Sequence, residues 1–281
     1  MKLLSFYIDD IIRNALKEDI NYTDAATDGI FDGSETSSGY FVAKADGVLC
    51  GMDVAMRVFQ LLDGNFKAKI LKRDGDKVES GDILARFSGN TVVLLKGERT
   101  ALNLIQHMSG IATATAKAVS IVEGTGASVT ETRKTLPGLR ALQKYAVTVG
   151  GGKNHRFNLS DAAMLKDNHI DACGGIAGAV EKLRSNIGHT VKIEVETRNP
   201  DEVKEALAAR ADIIMLDNMD TDTMKKAVAF IDGKALTEAS GGITLDSLRA
   251  VAETGVDIIS LGALTHSVKA FDISMKIEKA L

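Results

Sequence analysis

The sequence predicts an α/β protein in which a region of mixed helices and strands precedes a parallel α/β barrel. Three observations support this prediction. Helical and alternating patterns are mixed over roughly the first hundred residues, short apolar strands then alternate with helices, and polar residues end successive strands at regular intervals. Strand–helix alternation is typical of parallel sheets with helical connections.

The first region opens with an amphipathic helix, MKLLSFYIDDIIRNALKED. A strand pattern follows in SGYFVAKADGVLCG, a helical pattern in MDVAMRVFQLL, and a strand pair in FKAKILKRDGDKVESGDILARFSG. Asp-Gly and Ser-Gly pairs mark the turns of that strand pair. A long helix is then expected over LLKGERTALNLIQHMSGIATATAKAVSIVEG.

After this long helix the chain alternates between strands and helices. The expected strands lie in ASVTETRK, AAMLKDNHI, TVKIEVETR, ADIIMLDNM, KALTEASGG and VDIISLGAL. One helix has a clear start, because Asn199 is a good N-cap and Pro200 suits the first helical position.

Polar residues recur at the expected strand ends, namely Lys166, Glu196, Asp217 and Glu238, at intervals of 30, 21 and 21 residues. One βα unit per interval would bring them to the C-terminal rim of a barrel, where active sites of that architecture lie. A doubly wound sheet would show the same alternation, but its functional residues gather at one switch point. We favour the barrel because such residues follow nearly every strand.

The bulk composition argues against general binding to nucleic acid or membrane surfaces. The 281 residues include 34 Lys and Arg against 38 Asp and Glu, a formal net charge of −4, so anion binding must be local. Asp9 and Asp10 interrupt the apolar run that a signal peptide needs, and no stretch approaches the ~20 apolar residues of a membrane span. Cys50 and Cys173 fit reduced thiols, so we expect a soluble, cytoplasmic protein.

A local excess of positive charge surrounds a Gly-Gly-Gly run. It comprises Arg133, Lys134, Lys153, His155 and Arg156, and Lys166 ends the next expected strand. Over residues 131–169, seven Lys and Arg meet only three acids, so pairing with Glu131, Asp161 and Asp167 cannot absorb them all. Arginine forks and lysine ammonium groups suit carboxylates and phosphates, which predicts a site for a polyanion.

Two carboxylates face this cationic group in the predicted barrel. Glu196 and Asp217 would suit a hydrated Mg²⁺ or stabilise a cationic transition state by their charge. Capping of the following loops is the alternative. Glu194 shares a face with Glu196 in a regular strand, so which of the two points at a substrate stays open.

Two successive glycine-containing loops have the form of a phosphate cradle. They are SGGIT, with Ser240–Gly242, and SLGALTHS, with Leu261–Ala263. Backbone N–H groups and a helix N-terminus would bind the phosphate, although ordinary βα turns also contain glycine. Among the histidines, we expect His107 and His189 to be structural, and His169 and His266 to lie behind the site residues.

Together these motifs resemble a known family. ERTALNLIQHMSGIATAT, ETRKTLPGLRALQKYAVTVGGGKNHRFNL, LKDNHI, IEVET, MLDNM, ASGGI and LGALTHS are similar in order and spacing to quinolinate phosphoribosyltransferases, also called nicotinate-nucleotide pyrophosphorylases (carboxylating). The segment EDINYTDAATD departs from the family pattern, because Tyr22 and Thr23 stand where glycine is usual.

The resemblance implies a type II phosphoribosyltransferase. Its fold would comprise an N-terminal α/β sandwich domain over 1–107, an incomplete α/β barrel over 108–267 and a last helix, 268–281, packed on the first domain. Such enzymes use Mg²⁺ and no organic cofactor to convert quinolinate and 5-phosphoribosyl 1-diphosphate to nicotinate mononucleotide, CO₂ and diphosphate in NAD biosynthesis. The active unit would be a homodimer in which Arg99 reaches the neighbouring subunit's site.

The resemblance also implies residue roles. Arg133, His155 and Arg156 would grip the quinolinate carboxylates, with Thr132 beside them. Lys134 and Lys166 would lie between the two substrates, and Glu196 and Asp217 would face the ribose and the metal. The donor's phosphate would be held by Ser240, Gly241, Gly242, Leu261, Gly262 and Ala263.

Three other hypotheses remain at this point. A protein of the same fold could use another acceptor, as relatives found with molybdate transport systems do, although KDNH argues against it. A barrel lyase could form a Schiff base at Lys166. A phosphometabolite-binding module would bind the donor without turnover.

Overall fold

The structure is a computed structural model that describes residues 2–278. Up to the long helix, its elements are α1 (Ser5–Ile20), α2 (Thr27–Ile30), β1 (Thr36–Ala43), β2 (Gly47–Val48), α3 (Met52–Leu62), β3 (Lys67–Ile70), β4 (Lys77–Val78), β5 (Ile83–Asn90) and α4 (Thr91–Val122). The elements that follow are β6 (Ser128–Thr130), α5 (Arg140–Val149), β7 (Ala163–Leu165), α6 (Asp167–Ala172), α7 (Ile176–Arg184), β8 (Ile193–Thr197), α8 (Pro200–Ala208), β9 (Ile213–Asp217), α9 (Thr221–Ile231), β10 (Leu236–Ser240), α10 (Leu245–Ala252), β11 (Ile258–Ser260), α11 (Ala263–His266) and β12 (Ile273–Glu278).

The chain forms two compact units. The first contains the chain up to Ala116, the segment Thr135–Gly151 and the chain from Thr265 onward. The second contains Lys117–Lys134 and Gly152–Leu264. The segment with α5 therefore belongs to the first unit, although the expected boundaries place it with the barrel.

The first unit is built on an antiparallel sheet with the strand order β12-β1-β5-β3. Its core contains the packed rings of Phe41, Phe59, Phe66 and Phe87. Helix α1 buries Ile8, Ile12 and Leu16, which are spaced four residues apart and so lie on one face. The amphipathic helix predicted at the N-terminus is thus confirmed.

The C-terminal segment corrects one expectation. Residues 273–278 form strand β12 and not part of a helix over 268–281; residues 279–281 lie outside the described part of the chain. The sequence FDISMKIE alternates strictly between apolar and polar residues, which suits a strand with one buried face. Ile273 and Met275 are buried, and Met275 pairs with Phe41 of β1.

The second unit contains a parallel sheet with the strand order β6-β11-β10-β9-β8-β7. From β7 to β11 each strand pairs with the next in the chain, and β6 follows β11. This order is that of a barrel that is open between β6 and β7, because a doubly wound sheet would reverse direction at a switch point. The α/β fold class is confirmed, and the barrel is the incomplete one that the resemblance implies.

Helix starts in the second unit follow the sequence signals. The Asn199 side chain accepts hydrogen bonds from the backbone N–H groups of Asp201 and Glu202, at 3.1 and 3.0 Å. Helix α8 starts at Pro200, as predicted. None of the helices within residues 2–278 is both long enough and apolar enough to cross a bilayer.

Candidate active site

A cavity of about 530 Å³ lies in the second unit at the carboxyl ends of its strands. Lys166 follows β7, Glu196 lies near the end of β8, and Asp217 and Ser240 are the last residues of β9 and β10. The residues that line the cavity are Thr132, Arg133, Lys134, His155, Arg156, Met164, Lys166, Glu196, Met215, Asp217, Asn218, Glu238, Ser240, Gly241, Gly242 and Ser260. The cavity thus brings together most of the residues expected on the rim.

Four expected site residues do not line this cavity. Leu261, Gly262 and Ala263 come directly after Ser260, which does line it. Arg99 belongs to the first unit, where it lies on α4 and lines a cavity of that unit together with Glu98 and Lys276.

Two arginines in the cavity repel one another. Burial and then the neighbouring Arg133 lower the pKa of Arg156. Arg156 donates to the carbonyl oxygen of Ala162 at 2.9 Å, while the Nε atom of Arg133 is buried and has no hydrogen-bond partner within residues 2–278. A buried donor without a partner is costly, so this pair is suited to an anionic ligand.

Lys166 is held at the junction of β7 and α6. Its Nζ atom lies 3.4 Å from Oε2 of Glu196, and its side chain is about half exposed. The Nδ1 atom of His169 accepts the backbone N–H of Lys166 at 3.2 Å, so His169 contacts the backbone of this cavity residue.

His155 is held from both sides of its ring. Its Nε2 atom lies 3.3 Å from Oε2 of Glu194 and 3.3 Å from Oε1 of Glu238. Its Nδ1 atom accepts the backbone N–H of Arg156 at 2.8 Å. Burial lowers the pKa of His155, but hydrogen bonds with the two glutamates outweigh burial and raise the pKa to about 10.

The two glutamates also correct the expected rim. Glu238 lies in the middle of β10 and not at its end, where the spacing had placed it. It is about 1% exposed, and its carboxylate contacts His155. Glu194 and Glu196 share one strand face, but Glu194 is buried beneath the cavity and Glu196 lines it. Acids at alternate positions of apolar strands were the sequence signal for this arrangement.

The donor set of Glu196 and Asp217 fits a magnesium ion. Both carboxylates line the cavity, and their strands β8 and β9 are paired neighbours. Mg²⁺ accepts one or two carboxylates and completes its shell with water and phosphate oxygens.

A second set of potential ligands does not fit a metal. Atoms of His155, Glu194 and Glu238 lie within 4.8 Å of one another. Nε2 of His155 faces both carboxylates and carries a proton in this arrangement, and a protonated nitrogen cannot bind a metal.

A glycine loop, Ser240–Gly242, lines part of the cavity. Gly241 and Gly242 both have positive φ, 91° and 60°, so their backbone conformation favours glycine. Asn218, which the sequence patterns did not single out, contacts this loop: its backbone N–H donates to the carbonyl oxygen of Ser240 at 2.9 Å.

The fold and the cavity define a class: an α/β-barrel protein with a cationic pocket, two carboxylates and a glycine loop at the strand carboxyl ends. Known proteins give the particular family. The quinolinate phosphoribosyl transferase N-terminal domain matches residues 22–109, and the C-terminal domain of the same family matches residues 111–276. The chain belongs to the quinolinate phosphoribosyl transferase family, as its motifs predicted.

Similar proteins cover nearly the whole chain. A protein of Bacillus subtilis named "Probable nicotinate-nucleotide pyrophosphorylase [carboxylating]" is 47% identical over 95% of this chain and 92% of its own length. The nicotinate-nucleotide pyrophosphorylase (carboxylating) of Mycobacterium leprae is 42% identical over 95% of this chain and 96% of its own length. The crystal structure of NadC from Streptococcus pyogenes has a TM-score of 0.95 at 43% identity and covers 98% of both chains.

Proposed function

We propose that the protein is a quinolinate phosphoribosyltransferase (decarboxylating). It converts quinolinate and 5-phosphoribosyl 1-diphosphate to nicotinate mononucleotide, CO₂ and diphosphate, a step of NAD biosynthesis. Two matching family domains and relatives named for this activity support the proposal. The observation that carries it is that Arg133, Arg156 and Lys166 line one cavity, and that the carboxylates of Glu196 and Asp217 line the same cavity.

The two arginines are suited to the dicarboxylate substrate. Arg133 has a buried donor that finds no partner among the described residues, and burial together with repulsion from Arg133 lowers the pKa of Arg156. A quinolinate carboxylate would accept from both guanidinium groups and remove their repulsion. Thr132 lies beside them, and Lys134 and Lys166 add positive charge between the two substrates.

His155 is not expected to bind quinolinate through a ring nitrogen. Both ring nitrogens contact protein groups, so in this arrangement the ring supports the carboxylate clamp through the Arg156 backbone. We expect it to touch quinolinate through the edge of the ring.

Glu196 and Asp217 act on the donor. When the bond between the anomeric carbon and diphosphate breaks, positive charge develops on the ribose, and the two carboxylates stabilise it. The pyridine nitrogen of quinolinate then forms its bond to that carbon. The resulting pyridinium accepts the electron pair released when the adjacent carboxylate leaves as CO₂, and a proton joins the ring carbon.

The anionic ends of the donor need their own partners. Ser240–Gly242 would bind a phosphate through backbone N–H groups, with Leu261–Ala263 as the second loop. Mg²⁺ would neutralise charge on the donor's diphosphate, and Glu196 and Asp217 would hold it.

We further propose a cytoplasmic homodimer with shared active sites. Arg99 is an α4 residue in the first unit and would complete the site of the partner subunit. Cys50 and Cys173 are both free thiols, and Cys173 is exposed, which suits a reducing compartment. Mixing Arg99→Ala subunits with Lys166→Ala subunits should restore part of the activity, since one site in the mixed dimer keeps both residues. No restoration would contradict the shared site.

The activity is tested directly. Purified protein is incubated with quinolinate, 5-phosphoribosyl 1-diphosphate and Mg²⁺, and nicotinate mononucleotide and diphosphate are measured. Donor binding without diphosphate release would favour a binding module, and turnover of nicotinate in place of quinolinate would overturn the clamp assignment. Borohydride trapping at Lys166 with a carbonyl substrate would favour a lyase.

A further inference from the structure

We infer, resting on the function proposed above, that Asn218 is a positioning residue for the phosphoribosyl donor. It links the carboxylate of Asp217 to the glycine loop Ser240–Gly242. The expected roles do not include this residue, although the motif MLDNM contains it, and it makes close contacts with both groups.

The backbone of Asn218 is the first reason. It follows the last residue of β9 with a φ of 54°, a left-handed conformation that asparagine tolerates better than most side chains. In this conformation its N–H donates to the carbonyl oxygen of Ser240 at 2.9 Å. The turn after β9 is thereby tied to the end of the neighbouring strand β10.

The side chain makes the second link. Its Nδ2 atom donates to Oδ2 of Asp217 at 2.7 Å. A neutral amide orients this carboxylate and leaves its negative charge intact. A lysine or arginine in the same place would neutralise that charge. Asp217 therefore stays available for a cation, whether a metal ion or the developing ribose charge.

The third contact explains the glycine at 241. A Cβ atom built on Gly241 would lie 2.3 Å from Oδ1 of Asn218 and 2.8 Å from its backbone nitrogen. The loop can pass Asn218 this closely only because residue 241 has no side chain. Asp217 and Ser240 are also paired in the β9–β10 register, so one residue fixes the carboxylate and the loop relative to each other.

The consequence concerns one substrate only. Asp217 and the glycine loop are the groups assigned to the donor, whereas the quinolinate clamp lies on other strands. Loss of the Asn218 amide should therefore weaken donor binding and leave quinolinate binding nearly unchanged. A residue with a purely structural part would affect both substrates alike.

Three variants separate the effects of backbone and side chain. Asn218→Gly keeps the left-handed backbone and removes the amide, and Asn218→Ala removes the amide but adds strain at this φ. Asn218→Asp keeps the shape and cannot donate to Asp217. We measure binding of 5-phosphoribosyl 1-diphosphate with Mg²⁺, and of quinolinate separately, by calorimetry, together with both KM values.

For Asn218→Gly we expect donor binding to weaken about 10- to 100-fold, the effect of one hydrogen bond to a charged group. Quinolinate binding should stay within about two-fold, and Asn218→Asp should change in the same direction. Wild-type donor affinity in Asn218→Gly, or equal losses for both substrates, would overturn the inference. If the wild type itself neither binds the donor nor forms nicotinate mononucleotide, the proposed function fails as well, which distinguishes the two results.

Discussion

The imidazole Nε2 of His155 lies 3.3 Å from Oε1 of Glu238, and the two side chains are only 11% and 2% exposed. Glu194 of β8 contacts the same nitrogen, also at 3.3 Å. An acidic pair thus contacts His155 in a cavity that Arg133, Arg156 and Lys166 also line. The pair fixes the ring, and the ring fixes the Arg156 backbone through Nδ1.

The charge of Glu238 should control the titration of His155. Burial lowers the pKa of His155, but the two glutamates raise it to about 10, so Glu238→Gln should lower that pKa. Because the folded-state pKa is raised, the resulting stabilisation is complete below the ordinary value of 6.5 and is lost as the pH rises through about 10. NMR titration of labelled histidine in the wild type and in Glu238→Gln measures both pKa values.

A matched control separates this effect from a general change of charge. Glu181 is an exposed glutamate on α7, and Glu181→Gln should leave the His155 titration unchanged. An unchanged titration in Glu238→Gln as well would show that the carboxylate does not govern the ring.

Arg133 should discriminate between the two substrates. Arg133→Ala is expected to weaken quinolinate binding by roughly 30- to 1,000-fold, the usual cost of removing one partner from a buried charge pair, and to affect donor binding far less. Arg133→Lys should recover only part of the loss, because lysine cannot form the bidentate fork. Calorimetry with each substrate measures the difference.

The control for Arg133 is Lys153→Ala. Lys153 belongs to the same cationic stretch of sequence but does not line the cavity. We expect little change in either affinity. Equal losses of quinolinate and donor binding in Arg133→Ala would contradict its assignment to the clamp.

The rim could be predicted because a parallel barrel repeats one strand and one helix per interval. The spacing alone therefore predicted that Lys166, Glu196 and Asp217 lie together, and all three line one cavity. Glu238 followed the same interval, but β10 continues to Ser240, so this glutamate lies two residues before the end of its strand. Side chains alternate between the two faces of a strand. Misplacing a strand end by two residues therefore keeps a side chain on the predicted face but changes its position along the strand.

Other features depended on distant parts of the chain. The alternation in FDISMKIE indicates a strand, yet its partner β1 lies more than two hundred residues earlier, and the family resemblance pointed to a helix. The position of Asn218 beside Gly241 follows from the close approach of two loops, which no spacing rule encodes. Local patterns thus predicted the elements and much of the rim, whereas contacts between strands determined which acid points where.

The ion pair between Arg57 and Asp9 should stabilise the first unit. Arg57 donates to both carboxylate oxygens, at 2.8 and 2.7 Å, and joins α3 to α1. Hydrogen bonding to Arg57 lowers the pKa of Asp9, so the stabilisation is present above the ordinary value of 3.8 and is lost as the pH falls through the folded-state pKa. Arg57→Gln should cost about 1 kcal/mol at neutral pH, and less in acid.

Urea unfolding of Arg57→Gln at neutral and acidic pH measures this loss. Lys204→Gln is the control, because Lys204 and Asp201 form an exposed pair on one helix and should contribute nothing measurable. A loss in Arg57→Gln that does not depend on pH would rule out Asp9 as the cause.

Two helical glycines should respond oppositely to the same substitution. A Cβ on Gly110 of α4 would lie 2.2 Å from the backbone oxygen of Lys269, so Gly110→Ala must move the backbone and should cost about 1–3 kcal/mol. Gly178 of α7 is exposed, and its Cβ would meet no atom closer than 3.4 Å, so Gly178→Ala should gain about 0.5–1 kcal/mol through helix propensity. Urea unfolding of both variants gives the two signs. Stabilisation by Gly110→Ala would mean that α4 and the chain at Lys269 do not approach this closely in solution.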